Sequence, residues 1–116
     1  MKNANDTYAH YNGTECYYKH PFSSFVYTDG VKALAMDCEA YWLIDLVISH
    51  QLAPRVRAET FQVWKLERVE EDAFKVVATD GNDKVIATQQ IPYSDFPYDS
   101  GKVWLMDGVL MLPSEY

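Results

Sequence analysis

The chain has 116 residues, 48% hydrophobic and 23% charged, which is ordinary globular usage and points away from disorder. Seventeen acids against ten bases give a net charge of −7, which excludes the basic footprint of a nucleic-acid binder and favours basic protein partners. No apolar run reaches the roughly 18 residues of a membrane span. The start "MKNANDTYAHYNG" lacks a signal-peptide core, and two cysteines make no disulfide framework, so the expectation is a cytoplasmic protein with reduced thiols.

Along the chain, Met1 to Asp6 reads as a frayed end, and residues 1–12 as a flexible lead into one domain, 1–116. "TECYYKHPF" (Thr14 to Phe22) holds a short helix or strand, with Pro21 biasing His20 away from helical geometry. "TDGVKALAMDCEAYWLIDLVISHQL" predicts one helix of about 20 residues, ~30 Å long. Thr28 or Asp29 is its N-cap. Val31, Leu34, Cys38, Tyr41, Trp42, Ile48 and Leu52 share one face. The second half is apolar nearly all round, which implies burial on more than one side.

After the polar "PRVRAET" the period changes. "FQVWKLERV" (Phe61 to Val69) is rich in strand formers. Glu70, Glu71 and Asp72 form an acidic turn. Ala73 to Ile91 reads as two strands about "DGND", where Gly81 can take positive φ. "PYSDFPYDSGK" is a loop. "VWLMDGVLMLP" predicts a second hairpin with a two-residue Asp107-Gly108 turn, setting Met106 opposite Val109 and Leu105 opposite Leu110. The expected fold is α+β, one long helix packed on an antiparallel sheet of about five strands. The last hairpin is apolar on both faces, so the N-terminal segment or a second subunit, in a homodimer, is expected to cover the outer one.

Few side chains suggest chemistry. Cys16 and His20 are spaced C-x3-H, with Cys38, His10 and His50 elsewhere, but no paired spacing resembles a zinc site, so no metal or other cofactor is expected. Cys38 lies on the apolar helix face, and Glu15 beside Cys16 disfavours a thiolate. Asp107 and Asp99 are accounted for by their turn and loop, and Asp95 by an Asx-type bond to nearby backbone. Asp45 lacks such an account. As a buried acid it needs a partner, with Arg55, Arg57, Lys65, Arg68 or a tyrosine hydroxyl within reach. A structural tie is the favoured role, and no catalytic residue is assigned.

Seven strings resemble a family of small uncharacterised bacterial and phage proteins, a domain of unknown function. They are "GTECYYKH", "YTDGVKALA", "AYWLIDLVISHQ", "FQVWKL", "DGN", "YSDFP" and "LMDGVLMLPSEY", spread from residue 13 to the end. The resemblance implies one domain and transfers no activity. It also implies a mobile-element setting, where small acidic proteins block host nucleic-acid-handling machinery, as anti-CRISPR inhibitors do. The first expectation is therefore a non-enzymatic binder that occupies a basic protein surface with Glu70, Glu71, Asp72, Asp80, Asp83, Asp95 and Asp99. The alternatives are a small-molecule-binding domain or minor enzyme with a pocket near Asp45, His20 and Tyr17, or a self-associating structural protein.

Overall fold

The computed structural model describes residues 2–11, 16–21 and 23–116. Gly13 to Glu15 of "GTECYYKH", Phe22 and Met1 lie outside the described residues. Among the described residues, seven strands form one mixed sheet in the order β1-β2-β7-β6-β3-β4-β5. The strands are β1 (Tyr17–Lys19), β2 (Val26–Thr28), β3 (Phe61–Glu70), β4 (Ala73–Thr79), β5 (Val85–Ile91), β6 (Ser100–Met106) and β7 (Val109–Met111). All pairings are antiparallel except β2 with β7, which is parallel. The α+β class stands, but a wholly antiparallel sheet of about five strands does not.

The single long helix is also overturned. It is two helices, α2 (Asp29–Asp37) and α3 (Tyr41–His50). The break is a helix-ending turn whose N–H groups reach back along α2. Glu39 N–H donates to Met36 O at 3.4 Å and Ala40 N–H to Ala35 O at 2.8 Å. Glu39 takes the left-handed position at φ 51 that such a turn requires. Ala35 and Ala40 are both buried at the joint, the apolar contact that accompanies this stop. Thr28 is the N-cap of α2, accepting from Val31 N–H at 3.3 Å.

Residues 2–11 of the N-terminal stretch are anchored by two buried side chains. Helix α1 (Ala4–Thr7) is capped by the Asn3 side chain, and Ala4 and Tyr8 are buried. Asn3 forms a parallel bridge to Ser100. Ala4 sits against Gly101, where an added Cβ would stand 3.3 Å from its own. A short helix α4 (Pro54–Arg57), with proline in its first turn, joins α3 to β3.

The hairpins follow their patterns. Side chains along β3 and β4 alternate between buried and half-exposed, as strands with one covered face do. In the β6–β7 hairpin Met106 pairs with Val109 and Leu105 with Leu110, about Asp107 and Gly108 at φ 53 and 79. Gly81 lies at φ 89 in the β4–β5 turn. Trp64, Leu66, Phe74, Val76, Val103, Leu105 and Leu110 form the sheet's share of one core with α2 and α3. On the outer face Trp104 is half-buried between Phe61, at 5.2 Å, and Tyr116, at 5.4 Å between ring centroids. The C-terminus, through Tyr116, supplies that partial cover. The N-terminal Ala4 joins the core cluster instead.

Candidate functional site

The loop between β1 and β2 is narrow because the antiparallel ladder continues into it. His20 N–H donates to Phe25 O at 2.9 Å, and Ser23 N–H donates to His20 O at 3.4 Å. This turn folds the Ser23 hydroxyl back onto the His20 ring, 3.1 Å from Nδ1. The other ring nitrogen, Nε2, lies 2.8 Å from Asp45 Oδ1 on α3. Ionised carboxylate oxygens only accept, so Nε2 carries a proton and donates to Asp45. In the neutral ring Nδ1 is then left to accept the Ser23 O–H. The Ser23 oxygen accepts in turn from Phe25 N–H at 3.2 Å.

His20 is 8% exposed, whereas the Asp45 side chain is 69% exposed. Two expectations are corrected here. Asp45 is not a buried acid: it lies on the outer side of α3, while Leu43, Ile44, Leu46 and Val47 face the core. Its partner is not one of the basic residues that follow it. Arg68 is held by Asp99 and Lys65 stands near Glu67.

A pocket of about 430 Å³ opens beside this pair. Asp45, Ile48 and Ser49 recur at helical spacing along its α3 wall, with Leu52 in the turn just after the helix. His20, Pro21, Ser23 and Phe25 form the opposite wall, and Arg57 of α4 stands at the rim. The lining surface is mainly apolar, with a few polar side chains, the usual composition of small-molecule sites. The Ser49 hydroxyl is spent on Leu46 O at 2.8 Å. The Arg57 guanidinium makes no hydrogen bond or ion pair among the described residues. Tyr17, grouped with this site from the sequence, is exposed on β1 and does not line the pocket.

Gln51, which lines the pocket, belongs to a buried amide pair that the sequence did not reveal. Gln51 and Gln62 exchange two side-chain hydrogen bonds, both 2.9 Å. Trp64 Nε1–H donates to Gln62 Oε1 at 2.9 Å, and Gln62 Nε2 also reaches Val56 O. Every polar group in this network has a partner, which is what allows two amides inside an apolar core.

The other candidates are dispersed. Glu70, Glu71 and Asp72 stand at the β3–β4 turn, and Asp95 is near them because Ser94 N–H donates to Asp72 O at 2.8 Å. Asp80 and Asp83 lie in the β4–β5 turn, at the other end of a seven-residue strand, roughly 20 Å away. Asp99 is engaged by Arg68 Nε at 3.0 Å and by Lys2 N–H at 3.0 Å. The seven acids therefore do not make one face. Ser94, not Asp95, makes the local turn bond, accepting from Phe96 N–H at 3.1 Å.

Both thiols are free, Cys16 exposed and Cys38 buried. Burial, more than the nearby Asp37 charge, pushes the Cys38 thiol above its ordinary value, and a hydrogen bond with Tyr8 opposes it. Burial also raises the Tyr8 hydroxyl, helped by Cys38 and Asp37. His50 binds Gln89 Oε1 at 2.7 Å and His10 packs on Tyr11. Among the described residues no three metal-ligating side chains come together. No helix there is long and apolar enough to cross a membrane.

Residues 2–116 match the model of a family described as "Family of unknown function (DUF6876)", and the chain belongs to that family. No curated protein and no solved structure matches the chain.

Proposed function

We propose that this chain is a ligand-binding domain whose site is the pocket between the β1–β2 loop and α3. The observation that supports this is the His20–Asp45 bond of 2.8 Å set in the wall of a 430 Å³ apolar pocket. A tie needed only for stability has no use for an open apolar slot beside it. The slot suits a ligand with a short apolar body. The unpaired Arg57 at the rim favours an anionic or strongly hydrogen-bonding head.

The test is a titration with octanoate and 4-phenylbutyrate, read from the methyl signals of Ile48 and Leu52. Shifts confined to the pocket are expected. Arg57→Gln is expected to weaken binding about fivefold, the worth of one exposed charge contact. Ile48→Trp, which fills the slot, is expected to abolish binding while the fold persists. Methyl signals that stay unmoved at millimolar ligand would sink the proposal.

A second reading, an acidic binder of a basic protein surface, draws on the net charge of −7 and on three consecutive exposed acids, Glu70 to Asp72. It predicts a salt-sensitive complex that charge reversal at those three positions disrupts.

A further inference from the structure

We propose that Ser23 is a nucleophile, His20 its general base and Asp45 the residue that positions the base, and that the pocket accepts the acyl part of an activated ester. This rests on the pocket being a ligand site and adds a reaction to it.

Three atoms carry the proposal. Ser23 Oγ is 3.1 Å from Nδ1 of the imidazole, and the opposite nitrogen is 2.8 Å from a carboxylate. Both separations lie in the range expected for an activated nucleophile, its base and a third group that orients the base. The proton order is also correct. Asp45 holds the proton on Nε2, so the nitrogen facing Ser23 is the one that accepts in the neutral ring. Burial of His20 against the turn, and its bond to a second element, hold the ring in that plane. Ser23 and His20 line the same pocket as the apolar Phe25 and Ile48, so an acyl chain held there shares its cavity with Oγ.

In the first step the Oγ–C bond forms and the ester C–O bond breaks. The hydroxyl proton passes to Nδ1 and then to the departing alkoxide. In the second step water attacks the acyl carbon, gives its proton to Nδ1, and the proton returns to Oγ as the acid leaves. The sum is ester plus water to alcohol plus carboxylic acid, with no redox change. Phe25 N–H donates to Oγ itself, not to the place where a carbonyl oxyanion would form. That limits the step to esters with good leaving groups, such as aryl esters, which need least oxyanion stabilisation.

The experiment uses an alkyl fluorophosphonate, whose phosphorus bonds to an activated serine with loss of fluoride. Peptide mass spectrometry is expected to place the adduct on Ser23, and octanoate to slow its formation. Ser23→Ala is expected to abolish the adduct and any excess hydrolysis of 4-nitrophenyl butyrate over buffer. His20→Gln should slow labelling about a hundredfold, the usual worth of a general base. Asp45→Asn should lower the maximal labelling rate about tenfold and leave the half-saturating probe concentration unchanged, a split that a loosened fold would not give. Octanoate binding without an adduct on Ser23, or with one on Ser24 instead, would overturn the nucleophile and leave the ligand site standing. An adduct on Ser23 that octanoate does not slow would support the nucleophile and overturn the ligand site. Neither binding nor an adduct would remove both.

Discussion

Glu39 decides where the long apolar segment stops being one helix. It occupies a left-handed position at φ 51, which costs a side-chain-bearing residue about 1 kcal/mol and glycine almost nothing. Its side chain is exposed, so no packing is lost on truncation. Glu39→Gly is therefore expected to stabilise the fold by about 0.5 kcal/mol, after allowing for the greater freedom of glycine in the unfolded chain. Thermal unfolding should show a rise of a few degrees, and a fall would mean that Glu39 makes a contact worth more than its strain. The same residue explains why the break was hidden. Helix stops are legible when the left-handed position holds glycine or asparagine. Here it holds glutamate, and the apolar periodicity runs on across it. Asp45 was misjudged for a related reason. It is surrounded in sequence by Ile44 and Leu46, but the two-helix geometry turns it outward. Its partner, His20, lies 25 residues upstream, while the expectation looked to cations that follow it. Ser23 carried no signal at all, since only the turn at Pro21 brings its hydroxyl to the ring.

Elements whose partners are near in sequence were readable, and those closed by distant segments were not. The hairpins from β3 to β7 follow from alternation and from Asp107-Gly108, which local rules can interpret. Strands β1 and β2 have three residues each, too short for a period, and β2 pairs in parallel with β7 from the far end of the chain. The same closure sets the start of α2. The Glu115 carboxylate accepts from Thr28 Oγ1 at 2.6 Å, Gly30 N–H at 3.2 Å and Leu112 N–H at 3.0 Å. A negative charge there also meets the positive end of the helix dipole. The short 3-10 helix (Pro113–Glu115) thus caps α2 from 85 residues away. Glycine at position 30 leaves room for this, because an added Cβ would come within 2.6 Å of Glu115 Oε1 and 2.7 Å of Leu112 Cδ1 and those side chains would have to shift. Glu115→Ala is expected to cost about 2 kcal/mol, the range for hydrogen bonds to a charged group. In urea unfolding, Gly30→Ala should cause a loss of similar size by displacing the carboxylate. The double variant should lose far less than the two added together. Full additivity would show that Gly30 and Glu115 act independently.

For the whole molecule, the N-terminal segment, β3 and the β5–β6 connection are joined at one acidic residue. Asp99 N–H donates to Lys2 O at 2.8 Å, Lys2 N–H returns a bond to the Asp99 carboxylate at 3.0 Å, and Arg68 Nε donates to the same carboxylate at 3.0 Å. Arg68 extends the clamp by donating to Phe96 O, Tyr98 O and Glu71 O, with its guanidinium over the Phe74 ring. The bond from Lys2 N–H, with the hydrogen bond and charge of Arg68 behind it, holds the Asp99 carboxyl below its ordinary value against a smaller opposing effect of desolvation. The sign of the linkage follows. A carboxyl depressed in the folded state binds its proton more readily when unfolded. Its stabilisation is therefore present above the ordinary carboxylate range, near pH 4, and is lost as pH falls through the lower folded value. The net charge of −7 makes this limb informative, because protonating the other acids relieves repulsion over much the same range. Wild type and Asp99→Asn should accordingly differ in melting temperature at pH 7, with the variant lower. The difference should shrink as pH drops below about 4 and nearly vanish where Asp99 is itself protonated. Adding salt at pH 7 should narrow the gap only in part, since backbone hydrogen bonds are screened less than an exposed ion pair. Two melting curves that stay parallel from pH 7 to pH 2 would mean that the Asp99 carboxylate does not hold the N-terminus to the sheet.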